Sequence, residues 1–191
     1  MKIVDCIGDV CPLPVIKTKR ALTEVDCDLE IRVDNGISLE NVQKYVYTQG
    51  RDAVCVTRDG YFAIIISADA KVSTQKVSRN DTDSIVVIAC DIMGGTDEEL
   101  GRRLLKAFVF VLTQLDVLPH AVVLYNRGVL LAVEGSSVLE DLQMLAALGV
   151  QILSCGLCID YFGCEDKLAV GEITNMYAIV EMMQNGNVIR P

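Results

Sequence analysis

Two short, uninterrupted runs of aliphatic residues limit the folds open to the second half of this chain. The runs are Ile85-Val86-Val87-Ile88-Ala89 and Ala121 to Tyr125, and such runs are typical of strands buried on both faces of a parallel sheet. Further strands are predicted over 128–133 and 150–153, with helical patterns between the strands. This alternation predicts a doubly wound α/β domain with a mostly parallel sheet.

Capping signals predict two of the intervening helices. Thr96 with Glu99 reads as a capping box that opens a helix reaching about Leu115. A second helix is predicted from Ser137 to just before Gly149. The core face of the first helix is predicted from five apolar residues at helical spacing, namely Leu100, Leu104, Phe108, Val111 and Leu115.

The first third of the chain alternates in the order βαβαββ. Strands are predicted over 2–6, 28–33, 53–57 and 61–67, and helices over 12–24 and 38–49. Ser38 is the predicted cap of the second helix, and Asp59-Gly60 is a turn signal that joins the last two strands into a hairpin. The order predicts a small two-layer α/β sandwich.

A polar segment separates the two α/β patterns. Residues 69–84 are rich in Ser, Thr, Asp, Lys and Asn and have no sustained apolar pattern, which is typical of a linker. The predicted organisation is a first domain over 1–70, a linker over 71–83 and a second domain over 84–191.

Cys11-Pro12-Leu13-Pro14 lies between the first predicted strand and the first predicted helix. Pro is well tolerated in a first helical turn and pushes the residue before it towards extended geometry, so Cys11 is predicted to be the N-cap. The helix dipole then favours a negative charge on its sulfur, and the Leu13 N–H is predicted to donate to it. The motif predicts an exposed, partly ionised thiolate; the alternative is a Cys that merely precedes a helix.

The charge balance limits the partners of the chain. The net charge is −9, which argues against nucleic acid because phosphate contacts need clustered Lys and Arg. No apolar run reaches the length of a membrane span, and the first residues lack the apolar stretch of a signal peptide. We therefore expect a cytoplasmic protein with neither nucleic acid nor membrane as a partner.

The residues around Cys11 resemble the TusA/SirA family. Asp5, Gly8, Cys11, Pro12 and Pro14 have the spacing Asp-x-x-Gly-x-x-Cys-Pro-x-Pro within the βαβαββ pattern. The resemblance implies that Cys11 carries a persulfide sulfur and hands it to a partner, so a protein sulfur donor and a protein acceptor are expected. The acidic charge balance and the second domain depart from the pattern of that family.

A second pair of thiols follows the predicted strand over 150–153. Cys155 and Cys158 form a Cys-x-x-Cys sequence at the carboxyl end of a strand, where parallel sheets commonly bind ligands. Such a pair can be redox-active, relay sulfur, bind a metal or serve a structural role.

A metal site at this pair is disfavoured by the composition. His120 is the only His, and no second Cys pair has the spacing of a zinc site. Cys164, together with Asp160 or Asp166, could supply further ligands, so this alternative stays open. No metal and no cofactor is predicted.

The second half resembles the DsrE-like sulfur-relay fold. The strand followed by Cys-x-x-Cys and a Tyr, and the run from Lys167 to Tyr177, extend this resemblance, together with the N-terminal motif, to the YedF family. In that family, TusA-like and DsrE-like domains form one chain. The resemblance implies an association with selenium metabolism and a homo-oligomer formed through the DsrE-like domain.

Two loops of the second half are candidates for holding an anion or a thiolate. Gly94, Gly95 and Thr96 join a strand end to a helix start, where free N–H groups can bind an anion; a tight turn with an N-cap is the simpler interpretation. Arg127 lies in a predicted turn, and it could steady a thiolate or persulfide if this loop folds over the Cys pair.

The other cysteines are predicted to have lesser roles. Cys55 and Cys90 lie within apolar strand patterns and are expected to be buried packing residues. Cys27 lies in an acidic turn and has no assigned role. Cys6 is either a resolving thiol for Cys11 or, in the simpler interpretation, a core residue.

Three functions remain open from the sequence. The first is a sulfurtransferase-like carrier of sulfur or selenium that forms a persulfide on Cys11 and relays it to Cys158 or Cys155. The second is a thiol–disulfide oxidoreductase that uses Cys155 and Cys158, and the third is a non-catalytic oligomeric regulatory protein. The first is favoured, because a helix start would make the Cys11 sulfur both an attacking and a leaving thiolate.

Overall fold

The computed structural model describes residues 1–10, 12–71, 84–95 and 97–191, which fall into two compact units. Cys11, Thr96 and residues 72–83 of the predicted linker lie outside the described residues. Lys71 is described, and it ends a strand that continues beyond the predicted end at residue 67. The domain and linker boundaries stay predictions.

The first unit is a four-stranded mixed sheet with two helices. Its elements are β1 (Lys2–Asp5), α1 (Leu13–Glu24), β2 (Leu29–Val33), α2 (Gly36–Thr48), β3 (Arg51–Arg58) and β4 (Tyr61–Lys71). The strand order is β1-β2-β4-β3, in which β1 and β2 are parallel and both pairings of β4 are antiparallel. The predicted βαβαββ order and the hairpin of β3 and β4 are confirmed.

Aliphatic side chains form the core of the first unit. Fully buried members come from β2, α2 and β4, and include Ile31, Val33, Val42, Val46, Ile64 and Ile66. The predicted cap of α2 is wrong: Asn35 is the N-cap, and its side-chain oxygen accepts the Ser38 N–H at 2.8 Å. Asn is as good a cap as Ser, so the helix starts earlier than predicted.

The second unit is a five-stranded sheet in which the neighbouring strands are parallel. The strands are β5 (Ser84–Ile88), β6 (Ala121–Leu124), β7 (Gln151–Cys155), β8 (Glu172–Thr174) and β9 (Asn187–Ile189), in the order β8-β7-β6-β5-β9. The helices are α3 (Glu98–Leu112), α4 (Leu139–Ala147), α5 (Gly156–Phe162) and α6 (Met176–Asn185). The predicted α/β fold is confirmed, and the two aliphatic runs form β5 and β6 inside the sheet.

Residues 128–133 do not form the predicted strand. A 3-10 helix spans Asn126–Leu131 at the carboxyl end of β6. Gly128 lets this helix approach the end of β5 closely, because a Cβ there would lie 2.1 Å from the Ile88 carbonyl oxygen. The apolar residues that suggested a strand are buried by this packing instead.

Helix α3 buries a different face from the predicted one. Its buried residues are Gly101, Leu105, Val109 and Leu112. Leu100, Leu104 and Leu115 are 54%, 43% and 43% exposed, so the predicted core face is wrong at these three positions, whereas Phe108 does pack against the core. The sequence holds two adjacent apolar stripes here, and the position of the sheet decides which of them is buried.

The two ends of α3 also differ from the prediction. Asp97 is the N-cap, and its carboxylate accepts the Leu100 N–H at 2.9 Å. The helix ends at Leu112 rather than near Leu115. Within the described residues, no helix combines the length and the apolar character needed to cross a membrane.

Candidate functional site

The loop between β1 and α1 contains most of the Cys11 motif, although Cys11 itself lies outside the described residues. Two carboxylates hold the loop backbone: Asp5 accepts the Ile7 N–H at 3.1 Å, and Asp34, just after β2, accepts the Gly8 N–H at 2.8 Å. Gly8 has φ +80°, a region that favours glycine. Asp5 and Gly8 therefore shape this loop as motif residues, and Asp34 is a partner that the sequence analysis missed.

The start of α1 differs from the prediction. Pro12 is the N-cap, and Pro14 lies in the first turn. The Leu13 N–H donates to the Val10 carbonyl at 3.0 Å, so the predicted donation to a sulfur is wrong. The next N–H group, that of Val15, donates to the Pro12 carbonyl at 3.1 Å. The described N–H groups of this first turn are thus already paired with backbone carbonyls.

A thiol, a carboxylate and an ammonium group meet in the same loop. Cys6 is 1% exposed, and the Asp9 Oδ2 lies 2.5 Å from the Lys17 Nζ. Burial, as the largest cause, raises the pKa of Cys6 to about 11; Asp9 adds to the rise and Lys17 opposes it. A thiol of this kind is protonated at neutral pH, which favours the core-residue interpretation of Cys6 over the resolving thiol.

Cys155 and Cys158 lie together at the carboxyl end of β7. Cys155 ends the strand and is the N-cap of α5; it is fully buried, whereas Cys158 is half-buried. The two thiols are three residues apart, and Cys155 contributes to the raised pKa of Cys158. The backbone N–H of Asn126 donates to the Cys158 Sγ at 3.1 Å. Cys158 is therefore the more accessible thiol, and it has a hydrogen-bond donor from the loop after β6.

Opposing effects act on the Cys158 thiol. Burial is the largest and raises its pKa, the Asn126 N–H lowers it, and Cys155 raises it. The net shift is upward, because burial penalises the charged form more than one N–H compensates. Among the described residues, the Asn126 N–H is the group that favours a thiolate here.

Close packing fixes α5 against β8. A Cβ at Gly156 would lie 3.0 Å from the Ile173 Cγ2 and 3.3 Å from the Thr174 carbonyl oxygen, and Cys155 pairs with Thr174 in the register of β7 and β8. Gly163 ends the helix in the left-handed conformation, with φ +57°. The pair of thiols is therefore placed by the strand neighbour β8, which the sequence analysis did not predict.

Arg127 follows Asn126, but its side chain is engaged elsewhere. Its Nε and Nη2 donate to the two carboxylate oxygens of Asp91, each at 2.8 Å. Asp91 follows β5, while Arg127 follows β6. The loop after β6 does reach the Cys pair, and its hydrogen bond to Cys158 is made by the Asn126 backbone rather than by the predicted guanidinium.

The glycine turn before α3 offers little to an anion. Gly94 has φ +84°, and both Gly94 and Gly95 border open space; Thr96 lies outside the described residues. Asp97 caps the helix, and Glu98 and Glu99 follow in its first turn. These carboxylates repel an anion at the helix end that would otherwise attract one.

Two predictions for the other cysteines are wrong. Cys55 is exposed on β3, and Cys90 is half-buried beyond the end of β5, so neither is a buried packing residue. The buried Cys164 thiol donates to the Ile159 carbonyl at 3.6 Å. In the described part of the chain, no group of three or more His, Cys, Asp or Glu residues could hold a metal ion.

Family models match both units of the chain. The model for sulfurtransferase TusA matches residues 2–68, and the model for the DsrE/DsrF-like family matches residues 86–191. A candidate sulfur carrier protein of Methanocaldococcus jannaschii is 38% identical over 69 residues, which are 35% of this chain and 92% of that protein.

Two solved structures are similar to parts of the chain. A SirA-like protein from Desulfitobacterium hafniense is 36% identical, with a TM-score of 0.34, and the match covers 36% of this chain and 97% of that one. A protein of unknown function from Methanobacterium thermoautotrophicum is 23% identical, with a TM-score of 0.43, and the match covers 56% of this chain and 97% of that one.

Proposed function

We propose a function on the basis of the families of this chain, which belongs to the DsrE/DsrF-like family and also contains a match to sulfurtransferase TusA. In this function the chain forms a persulfide on Cys11 and passes the terminal sulfur to Cys158. The TusA match over residues 2–68 carries the proposal, since that range includes Cys11-Pro12-Leu13-Pro14. The resemblances to the TusA/SirA and DsrE-like families are confirmed. The narrower YedF resemblance, the selenium association and the homo-oligomer stay predictions.

Both steps of the proposed transfer exchange one S–S bond for another. The Cys11 thiolate attacks the terminal sulfur of a persulfide on a donor protein, and the donor cysteine leaves as a thiolate. The Cys158 thiolate then attacks the terminal sulfur on Cys11; a new S–S bond forms at Cys158, and Cys11 leaves as a thiolate. No oxidant or reductant is consumed, because the transferred sulfur keeps its oxidation state.

Exposure and hydrogen bonding favour Cys158 over Cys155 as the acceptor. Cys155 is fully buried, whereas Cys158 is half-buried and accepts the Asn126 N–H. A hydrogen bond to the charged form of a group stabilises that form, and the thiolate is the form that attacks. A protein acceptor would then take the sulfur from Cys158 by the same chemistry.

Replacing Cys158 by Ser is expected to confine the transferred sulfur to the first unit. After incubation with a protein persulfide donor, the adduct on Cys11 should persist, and the adduct in the second unit should fall by about tenfold or more, because its nucleophile is gone. Peptide mapping by mass spectrometry measures both adducts.

The Cys155→Ser variant is the matched control for this experiment. Its thiol is fully buried, so the adduct on Cys158 should remain when Cys155 is replaced. If the second unit loses its sulfur adduct in Cys155→Ser but keeps one in Cys158→Ser, then Cys155 rather than Cys158 receives the sulfur.

The placement of Cys155 and Cys158 three residues apart, where β7 ends and α5 begins, supports a second candidate function, thiol–disulfide exchange. Closure of this pair to a disulfide predicts a two-electron potential within roughly −200 to −270 mV, the range of glutaredoxins and thioredoxin. Redox titration against glutathione, with mapping of the pair, measures this potential. A pair that stays reduced at every glutathione ratio would exclude the oxidoreductase.

A further inference from the structure

The loop after β6 has an uncommon backbone conformation beside Cys158. Asn126 has φ +50° and is the only non-glycine residue with a positive φ in the described ranges. Asn tolerates this region better than most residues, yet such a conformation persists only where its surroundings hold it. In this conformation the Asn126 N–H donates to the Cys158 Sγ at 3.1 Å.

Arg127, the residue after Asn126, forms a bidentate ion pair with Asp91. Both carboxylate oxygens of Asp91 accept from the Arg127 guanidinium, each at 2.8 Å, and the Asp91 side chain is 20% exposed. The Arg127 hydrogen bonds hold the pKa of Asp91 below its ordinary value, so the pair is charged at neutral pH. Pairs with this fork geometry fix orientation as well as distance, which restrains the backbone next to Asn126.

Backbone packing secures the other side of the same turn. The Tyr125 N–H donates to the Ile88 carbonyl at 3.2 Å, and Gly128 packs against that carbonyl oxygen. The loop after β6 is thus attached to the end of β5 before Asn126, and to Asp91 just after it.

We propose that the Arg127–Asp91 ion pair is a positioning element for Cys158: it holds the Asn126 N–H on the Cys158 sulfur and so favours the thiolate. This proposal adds a positioning element to the role of Cys158. It rests on the proposed function, because stabilising the Cys158 thiolate serves sulfur transfer only if Cys158 accepts the sulfur. The contacts themselves do not depend on sulfur transfer.

The groups around Cys158 distinguish positioning from a direct effect of charge. The pKa of Cys158 responds to burial, to the Asn126 N–H from the 3-10 helix and to the Cys155 thiol from β7. Both carboxylate oxygens of Asp91 accept from the Arg127 guanidinium, whereas the contact with the Cys158 sulfur is made by the Asn126 N–H. Their influence therefore passes through the Asn126 backbone.

The Asp91→Asn variant distinguishes positioning from a direct charge effect, because the two shift the pH midpoint for alkylation of Cys158 in opposite directions. If the pair positions Asn126, loss of the carboxylate frees the turn, and the pH midpoint for alkylation of Cys158 rises by about one unit, as expected for weakening a hydrogen bond to a charged group. If only charge matters, removing a nearby carboxylate lowers the midpoint. The measurement is the rate of iodoacetamide modification of Cys158 against pH, resolved by peptide mass spectrometry on the full chain.

Further variants test the pair as a unit. Arg127→Gln should raise the midpoint as Asp91→Asn does, and the double variant should add little, because both changes remove one interaction. Arg127→Lys keeps the positive charge but cannot form the bidentate pair with Asp91, so it should raise the pH midpoint by less. This variant replaces Asp91→Asn in the test if Asp91→Asn does not fold. Arg103→Gln is the matched control: its partner Glu99 lies on the exposed surface of α3, so the midpoint should not move.

An unchanged or lowered midpoint in folded Asp91→Asn would overturn the positioning role, as would an equal rise in Arg103→Gln. The assay uses no sulfur donor, so its outcome is independent of whether Cys158 receives sulfur. If the midpoint rises but no sulfur reaches Cys158, the positioning role stands and the proposed function fails.

Discussion

Sulfur uptake by this chain is expected to fall by about 100-fold or more when Cys11 is replaced by Ser, since removing a reaction's nucleophile removes most of its rate. A Ser hydroxyl cannot form a persulfide. The expectation follows from the TusA match around the Cys11 motif and from the first S–S exchange of the proposed relay. The measurement is the rate at which labelled sulfur from a protein persulfide donor becomes bound to the chain, followed by intact-mass spectrometry.

The control for this loss is another thiol of the first unit. Cys55 is exposed on β3, so it is accessible to the same donor, yet it has no place in the proposed relay. The Cys55→Ser chain should take up sulfur at the rate of the unaltered protein. If Cys11→Ser and Cys55→Ser take up sulfur equally fast, Cys11 is not the carrier.

Replacing Gly128 by Ala is expected to destabilise the second unit by about 2–3 kcal/mol, the upper part of the usual cost of overpacking. The added Cβ would lie 2.1 Å from the Ile88 carbonyl oxygen and 2.9 Å from its carbon. Both are backbone atoms of a central strand, so the clash is relieved only if the 3-10 helix moves. Because Asn126 lies in that helix, the contact with Cys158 should weaken as well.

Urea unfolding of the Gly128→Ala chain measures the free energy of unfolding of the second unit. Gly95→Ala is the matched control, because its added Cβ meets no atom within 4 Å and its φ is ordinary; it should change stability by less than about 0.5 kcal/mol. Equal midpoints for the two variants would show that the 3-10 helix is not packed against β5 as described.

The buried strands of the second unit were predictable because their pattern is local. Unbroken aliphatic runs predicted 85–89 and 121–125, within one residue of β5 and β6 at each end. Burial on both faces of a parallel sheet requires such runs, whatever the rest of the fold does. The three-residue strand β8 has too short a pattern to be recognised in this way.

Helix caps and helix faces were harder to predict, because neighbouring residues compete. Asn35 and Ser38 are both good caps, and the backbone after β2 selects Asn35. Similarly, α3 has two apolar stripes, and contact with the sheet buries the one containing Leu105 and leaves Leu100 exposed. Local propensity does not decide either choice.

The candidate cysteines could be found from the sequence, but the hydrogen bonds of their surroundings could not. Cys11 and the Cys155–Cys158 pair belong to recognisable motifs. Asp34 lies 26 residues from Gly8, and Asn126 lies 32 residues from Cys158. Such partners meet because parallel strands bring their carboxyl ends to one edge of a sheet, and the register that pairs them is a property of the whole fold.

The order in which labelled sulfur appears on Cys11 and Cys158 tests the proposed relay most directly. The full chain is mixed with a labelled protein persulfide donor, quenched by alkylation at successive times and mapped by mass spectrometry. The relay predicts that the label appears first on Cys11 and then on Cys158 after a lag, as the label on Cys11 declines. Labelling of Cys158 without a lag, and at the same rate in Cys11→Ser, would contradict it.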